Sequence, residues 1–293
     1  MKSFCIKTNQ KEILHDLLEI ENTYSLDELY LSHRHFCHYE NIILHYKGEN
    51  LNAFYDVICQ AVTNIILHFY EERFLRHILD FNYFYFTAPE KKEIMKQCHL
   101  FLQDDQNLEN IVRKEHIFLS TLHYVEEHKA MILDGFATFR LKNYIKILDY
   151  IVDTSVNHFL IEKEYNDFVE LLRMYIQSKS KEESKQKVVH LIYHNGDSLL
   201  LDEEKNRIPM DYISNIKYLS DITFSSNDYA LNTLLTLLPQ KIIIHEIDTE
   251  DEFITTLKLI FDSRVHICKC CPICQSYQLT CHKNRSRTEQ SEN

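Results

Sequence analysis

No proline falls between Pro89 and Pro209, and the whole chain of 293 residues carries only three glycines and four prolines. Average usage is about 7% glycine and about 5% proline. Proline breaks a helix by removing a donor and clashing with the preceding turn, so an interval this free of it predicts long helices. The same scarcity limits the chemistry. A phosphate-cradling loop needs several glycines, and no G-x-x-x-x-G-K-[ST] or G-x-G-x-x-G occurs. G-x-S-x-G and H-E-x-x-H are also absent. Nucleotide-driven catalysis of the common kinds is therefore not expected.

Hydrophobic periodicity divides the chain into parts of different texture. Residues 1–48 read as a small α+β unit in the order β-α-β-β, from SFCIKT, KEILHDLLEIEN, ELYLSHRHFCHY and NIILHYK. Residues 49–177 read as a helical bundle region. Ala53, Val57, Ala61, Ile65 and Phe69 form one apolar row at four-residue steps. Thr87, Ala88 and Pro89 look like a helix start. Residues 178–187, SKSKEESKQK, contain no apolar side chain and read as a linker.

Residues 188–281 change period and read as an α/β domain. VVHLIY and SLLLDEE flank Asn195-Gly196, a hairpin signal. A further strand is expected within 215–224 and a helix over 228–238. KIIIHEI, DEFITTLKLIFDS and VHIC then predict a βαβ unit. Residues 282–293 read as a disordered tail. The fold class expected is α+β, with a long helical middle and a Cys-rich end.

The formal charge is −12, from 44 acidic and 32 basic residues. That argues against a global electrostatic footprint for nucleic acid, leaving only local basic stretches. MKSFCIKTNQKEIL lacks an apolar core and a cleavage site, so no signal peptide is expected. No apolar stretch reaches the roughly 18 residues of a membrane span. A cytoplasmic location is expected, where nine cysteines stay reduced and serve as thiols or metal ligands.

The most distinctive stretch is Asp134–Ile176. It contains GFATFRL at Gly135–Leu141, Tyr144, and FLIEKEYNDFVELLR at Phe159–Arg173. It resembles the YtxC-like sporulation proteins of endospore-forming bacteria, and the resemblance continues more weakly to Cys274. Within the block Phe136, Tyr144, Leu148, Val152, Val156 and Leu160 form a row that would face a bundle core. The resemblance implies a process, endospore formation, and no reaction.

Three constellations could carry chemistry. In HICKCCPICQSYQLTCH, Cys268, Cys271 and Cys274 have C-x2-C-x2-C spacing, Cys270 sits between them, and Cys281 and His282 follow. Close thiolates on a tight turn suit zinc, which four donors can surround at about 2.3 Å. They also echo part of an iron–sulfur cluster run. The fourth ligand would come from Cys281, His266, His282 or a partner chain. VHIC ends a strand, where α/β sites lie, and His245, Glu246 and Asp248 end the strand before it. The bland alternative is a loose tail of free thiols.

The second constellation is SHRHFCHYE. His33, His35 and Cys37 would share one face of a strand and could hold zinc, although polar residues on an edge strand explain them as well. The third is Arg140, Lys142, Glu162, Glu164 and Arg173. They could line a groove for a protein partner or an anionic ligand, or simply make surface ion pairs worth about 0.2–0.5 kcal/mol each. Taken together, the sequence points to a non-enzymatic binding or regulatory protein. A metal-dependent factor is the first alternative and a nucleic-acid-associated factor the second.

Overall fold

The computed structural model describes residues 1–24, 26–103, 108–179, 187–194, 196–209, 225–245, 251–268 and 271–276. The chain divides into two compact units, residues 1–162 and 163–293. The architecture is α+β, as the periodicity predicts.

The first unit opens with β1 (Lys2–Thr8), α1 (Lys11–Leu18), α2 (Ile20–Tyr24), β2 (Leu29–His35) and β3 (Glu40–Tyr46). In β1 the side chains of Phe4, Ile6 and Thr8 are buried while their neighbours are not, the period-two signature of a half-covered strand. The chain then runs through α3 (Leu51–Ile65), one π-helical turn (Ile66–Tyr70), α4 (Glu71–Asn82), α5 (Ala88–Gln103) and α6 (Leu108–Glu127). Thr87 caps α5: its backbone N–H and hydroxyl both donate to Glu90 at 2.8 Å.

A short strand, β4 (Ala130–Ile132), interrupts the region expected to be almost entirely helical, before α7 (Leu133–Arg140) and the 38-residue α8 (Lys142–Lys179). β4 pairs parallel with β1, setting Met131 opposite Ile6 and completing a sheet of order β2-β3-β1-β4. Three residues are too few for a period to show. The pairing comes from tertiary contact, with Met131 fully buried against the sheet core.

One core joins sheet and helices. It includes Ile6, Ile42 and Leu44 from the sheet, Phe54, Ile58 and Val62 from α3, and Phe136, Tyr144, Leu148 and Val152 from the family block. The four-residue row read from the sequence is thus the buried face. One polar cluster inside this core is built from its own side chains, although Arg113 Nε, Thr63 Oγ1 and Asn41 Oδ1 are buried without a hydrogen-bond partner among the described residues. The Tyr144 hydroxyl donates to Glu71 Oε2 at 2.8 Å, Arg113 pairs with the same carboxylate, and Arg113 Nη2 donates to the Leu102 carbonyl at 3.2 Å. Glu71 follows the π-helical turn directly, and that turn places Tyr70 so that its hydroxyl donates to Asp134 at 2.9 Å.

The second unit contains β5 (Val188–His194), β6 (Asp197–Leu201), α9 (Ser226–Leu237), β7 (Lys241–His245), α10 (Glu252–Phe261), β8 (Val265–Ile267) and α11 (Pro272–Ser276). Its sheet order is β6-β5-β7-β8. β5 and β6 are antiparallel, and Gly196 takes the left-handed φ of +87° that their tight turn requires. β7 pairs parallel with both β5 and β8, so β7-α10-β8 is the expected βαβ unit. Ser225 and Asp228 form a reciprocal capping box on α9, and Asp251 caps α10. Val169 and Ile176 of α8 share a core with Val189, Leu191, Ile242, Ile244, Leu257 and Phe261. The expected strand within 215–224 and the tail at 282–293 lie outside the described residues, as does most of the linker expected over 178–187, of which Ser178 and Lys179 still belong to α8.

Candidate metal centre

Parallel pairing of β7 with β8 sets Ile244 opposite Ile267, so the two strands end side by side. His245 closes β7 and Cys268 leaves β8, its N–H donating to the Ile244 carbonyl at 2.9 Å. Pro272 then opens α11, a single turn that turns Cys271 and Cys274 towards the same point, with the Gln275 N–H donating to the Cys271 carbonyl.

The four donor atoms all lie within 4.8 Å of one another. Nδ1 of His245 is 3.4 Å from Cys274 Sγ and 3.5 Å from Cys271 Sγ. Cys274 Sγ is 3.8 Å from Cys268 Sγ and 3.9 Å from Cys271 Sγ. For a tetrahedral zinc, with Zn–S of about 2.3 Å and Zn–N of about 2.0–2.1 Å, the edges are about 3.8 Å between sulfurs and about 3.5 Å from nitrogen to sulfur. Four of the six separations match those edges, and the other two lie within 4.8 Å, so the donor set suits one ion of that size.

The surroundings suit such a role. His245 and Cys274 are 1% and 3% exposed, and Ile192, Leu201 and Ile273 pack around them. Burial, assisted by neighbouring His190, holds the His245 imidazole down at about 4, so it is neutral, as a ligand must be. Burial pushes the Cys274 thiol up to about 12. Burial also raises Cys271, but the Cys274 backbone N–H and the Cys268 thiol outweigh it and bring Cys271 below the ordinary thiol value. Behind the ring, His245 Nε2 lies 2.8 Å from His190 Nδ1 on β5. With a metal on Nδ1, the His245 proton would sit on Nε2 and be donated to His190. Metal-bound histidines are commonly fixed by such an outer partner.

Cys268, Cys271 and Cys274 are therefore brought together, while Cys270, Cys281, His282, Glu246 and Asp248 lie outside the described residues. His266 is exposed and bonds the Arg264 carbonyl instead. The fourth donor is His245, which the sequence placed beside the cluster without assigning it as a ligand. His33 and His35 both bond the Glu40 carboxylate at 2.6 Å across the β2–β3 pair, and Cys37 is exposed in the turn beyond. Arg140 lines a cavity in the first unit and Arg173 one in the second. Lys142 and Glu164 are exposed and line neither.

Among the described residues no helix is long and apolar enough to cross a membrane. No solved structure matches the chain. It is 24% identical over 204 residues to "Uncharacterized protein YtxC" of Bacillus subtilis (strain 168), covering 67% of this chain and 71% of that protein. The model of the YtxC-like family matches residues 56–266, a span that includes His190 and His245 and stops short of Cys268. The chain belongs to the YtxC-like family.

Proposed function

We propose that the C-terminal unit binds a single zinc ion through His245, Cys268, Cys271 and Cys274, and that the protein acts as a non-enzymatic binding or regulatory factor in endospore formation. The observation that carries the metal reading is the match of donor separations to a tetrahedral shell. Four protein donors leave no open position for substrate or water, so the ion would be structural, tying the ends of β7 and β8 to α11. An iron–sulfur cluster fits less well. Its thiolates ligate different irons, whereas these sulfurs crowd around one point. The role in endospore formation rests on the resemblance of the Asp134–Ile176 block.

Elemental analysis of anaerobically purified protein tests the metal reading, beside a Cys268→Ser/Cys271→Ser/Cys274→Ser variant. One zinc per chain, absent from the variant, is the expected result. A metal-free wild type that also fails to take up added zinc would overturn it. For the cellular role, a clean deletion strain should lose spore yield, and unchanged yield would remove that part of the proposal.

A further inference from the structure

Two of the three glycines have a reason in the fold, and the third does not. Gly196 takes a left-handed φ, and a Cβ on Gly48 would strike the Tyr46 ring. Gly135 sits in the first turn of α7, and a Cβ there would meet nothing within 4 Å. A glycine inside a helix is worse than alanine by up to about 1 kcal/mol. Neither strain nor crowding demands it here. It lines a cavity, and a side chain there would extend into open space.

That cavity is about 420 Å³, within the roughly 300–1,000 Å³ of small-molecule sites. Its walls combine two chemistries. Phe139 and Ile132 are 70% and 45% exposed and present apolar surface, with Tyr124 alongside. Lys7 of β1 and Arg140 at the end of α7 supply two cations. Among the described residues neither takes part in an ion pair. Oδ1 of Asp134, the acid just before Gly135, is engaged by Gln10 at 2.5 Å, Tyr70 at 2.9 Å and Arg73 at 3.9 Å, while its Oδ2 is buried without a hydrogen-bond partner among the described residues. Two unpaired cations beside the exposed Phe139 ring, in a chain of net charge −12, form a local patch of positive charge.

We propose that this cavity binds a small organic anion with an apolar body of one or two rings. Its carboxylate, sulfonate or phosphate group would lie between Lys7 and Arg140 and its body against Phe139 and Ile132. The site belongs to the first unit and does not depend on the metal reading.

The probe is 8-anilinonaphthalene-1-sulfonate, titrated by fluorescence, beside its neutral counterpart N-phenyl-1-naphthylamine. Gly135→Leu fills the cavity with a residue that helices favour, so the fold should persist. The expected result is one saturable site for the anionic dye. Its affinity should fall at least tenfold in Gly135→Leu and in a Lys7→Gln/Arg140→Gln double variant. The neutral dye should bind at least tenfold more weakly than the anionic one. Should Gly135→Leu lose its native circular dichroism, the surface double variant decides. Equal binding of the two dyes, or affinity unchanged in the double variant, would overturn the proposal.

Discussion

The N-terminal unit sets a buried carboxylate against a buried guanidinium and a phenol, whereas the C-terminal unit gathers an imidazole and three sulfurs in an arrangement that suits a cation. In the first, the Glu71 carboxylate, the Arg113 guanidinium and the Tyr144 hydroxyl converge, and their charges cancel. In the second, a neutral imidazole and three sulfurs converge with no countercharge among them. Both interiors have low dielectric, so an uncompensated charge is expensive in either. The difference is where compensation comes from. One unit should be complete as a polypeptide, and the other should gain stability from its surroundings.

The largest expected effect tests the self-sufficient side. Arg113 and Glu71 side chains are 8% and 12% exposed. Arg113→Leu would leave the Glu71 carboxylate buried without its partner, a loss of about 3–5 kcal/mol. A Glu71→Met/Arg113→Met double variant should lose less than the single one, because it removes both charges together. Denaturant unfolding followed in the N-terminal unit measures both. A double variant worse than the single would show that the pair is not a matched one.

Metal removal tests the other side. With free zinc 100- to 1,000-fold above its dissociation constant, binding adds about 2.7–4.1 kcal/mol. A chelator should therefore lower the unfolding midpoint of the C-terminal unit and leave the N-terminal one in place. Equal shifts in both units would break the contrast. Protection of the two units against amide exchange, with and without chelator, reads them separately.

The two units also differ in how far the sequence discloses them. The helical rows of α3 and α8 are visible because their partners are four residues away, and Val57, Ala61, Ile65, Leu148 and Val152 are all buried as spaced. The βαβ unit shows through dense β-branched runs. β4 is not visible, because Ala130–Ile132 is too short for a period and exists only by pairing with β1. Nothing in the sequence marks Arg113, and only packing of α6 reveals it as interior. The three cysteines announce themselves by spacing within seven residues of chain. His245 does not, since it reaches them through strand pairing, and His190 reaches His245 from a third strand. The charged set of the family block could be read as a groove or as surface ion pairs, and Arg140 and Arg173 line separate cavities.

A smaller effect sharpens the metal side. No bond from His190 to a sulfur is present among the described residues, but in the proposed site it would accept the His245 Nε2 proton and leave Nδ1 free for the ion. His190→Ala should weaken metal affinity about 10- to 100-fold. His190→Gln keeps a side-chain acceptor and should recover part of that loss. Cobalt titration, with its thiolate-to-metal absorption, reads both affinity and geometry. An affinity unchanged in His190→Ala would mean that packing alone holds the ring.

The smallest effect returns to histidines used without a metal. His33 and His35 on edge strand β2 both bond Glu40, and these bonds, His33 first, hold the Glu40 carboxyl below its ordinary range. A depressed carboxyl pKa means that the folded state favours the ionised form. The contribution is therefore fully present above the unfolded value of about 4.3 and is lost as pH falls through the lower folded value. Glu40→Gln should destabilise the first unit slightly at neutral pH, and the difference from wild type should shrink as acid titrates the carboxyl. Solvent at this exposed edge screens the interaction, which keeps the effect below the others. Carboxyl NMR titration of Glu40 measures the shift directly. A zinc-dependent change in that titration would turn the comparison around, making the histidines of the first unit a metal site as well.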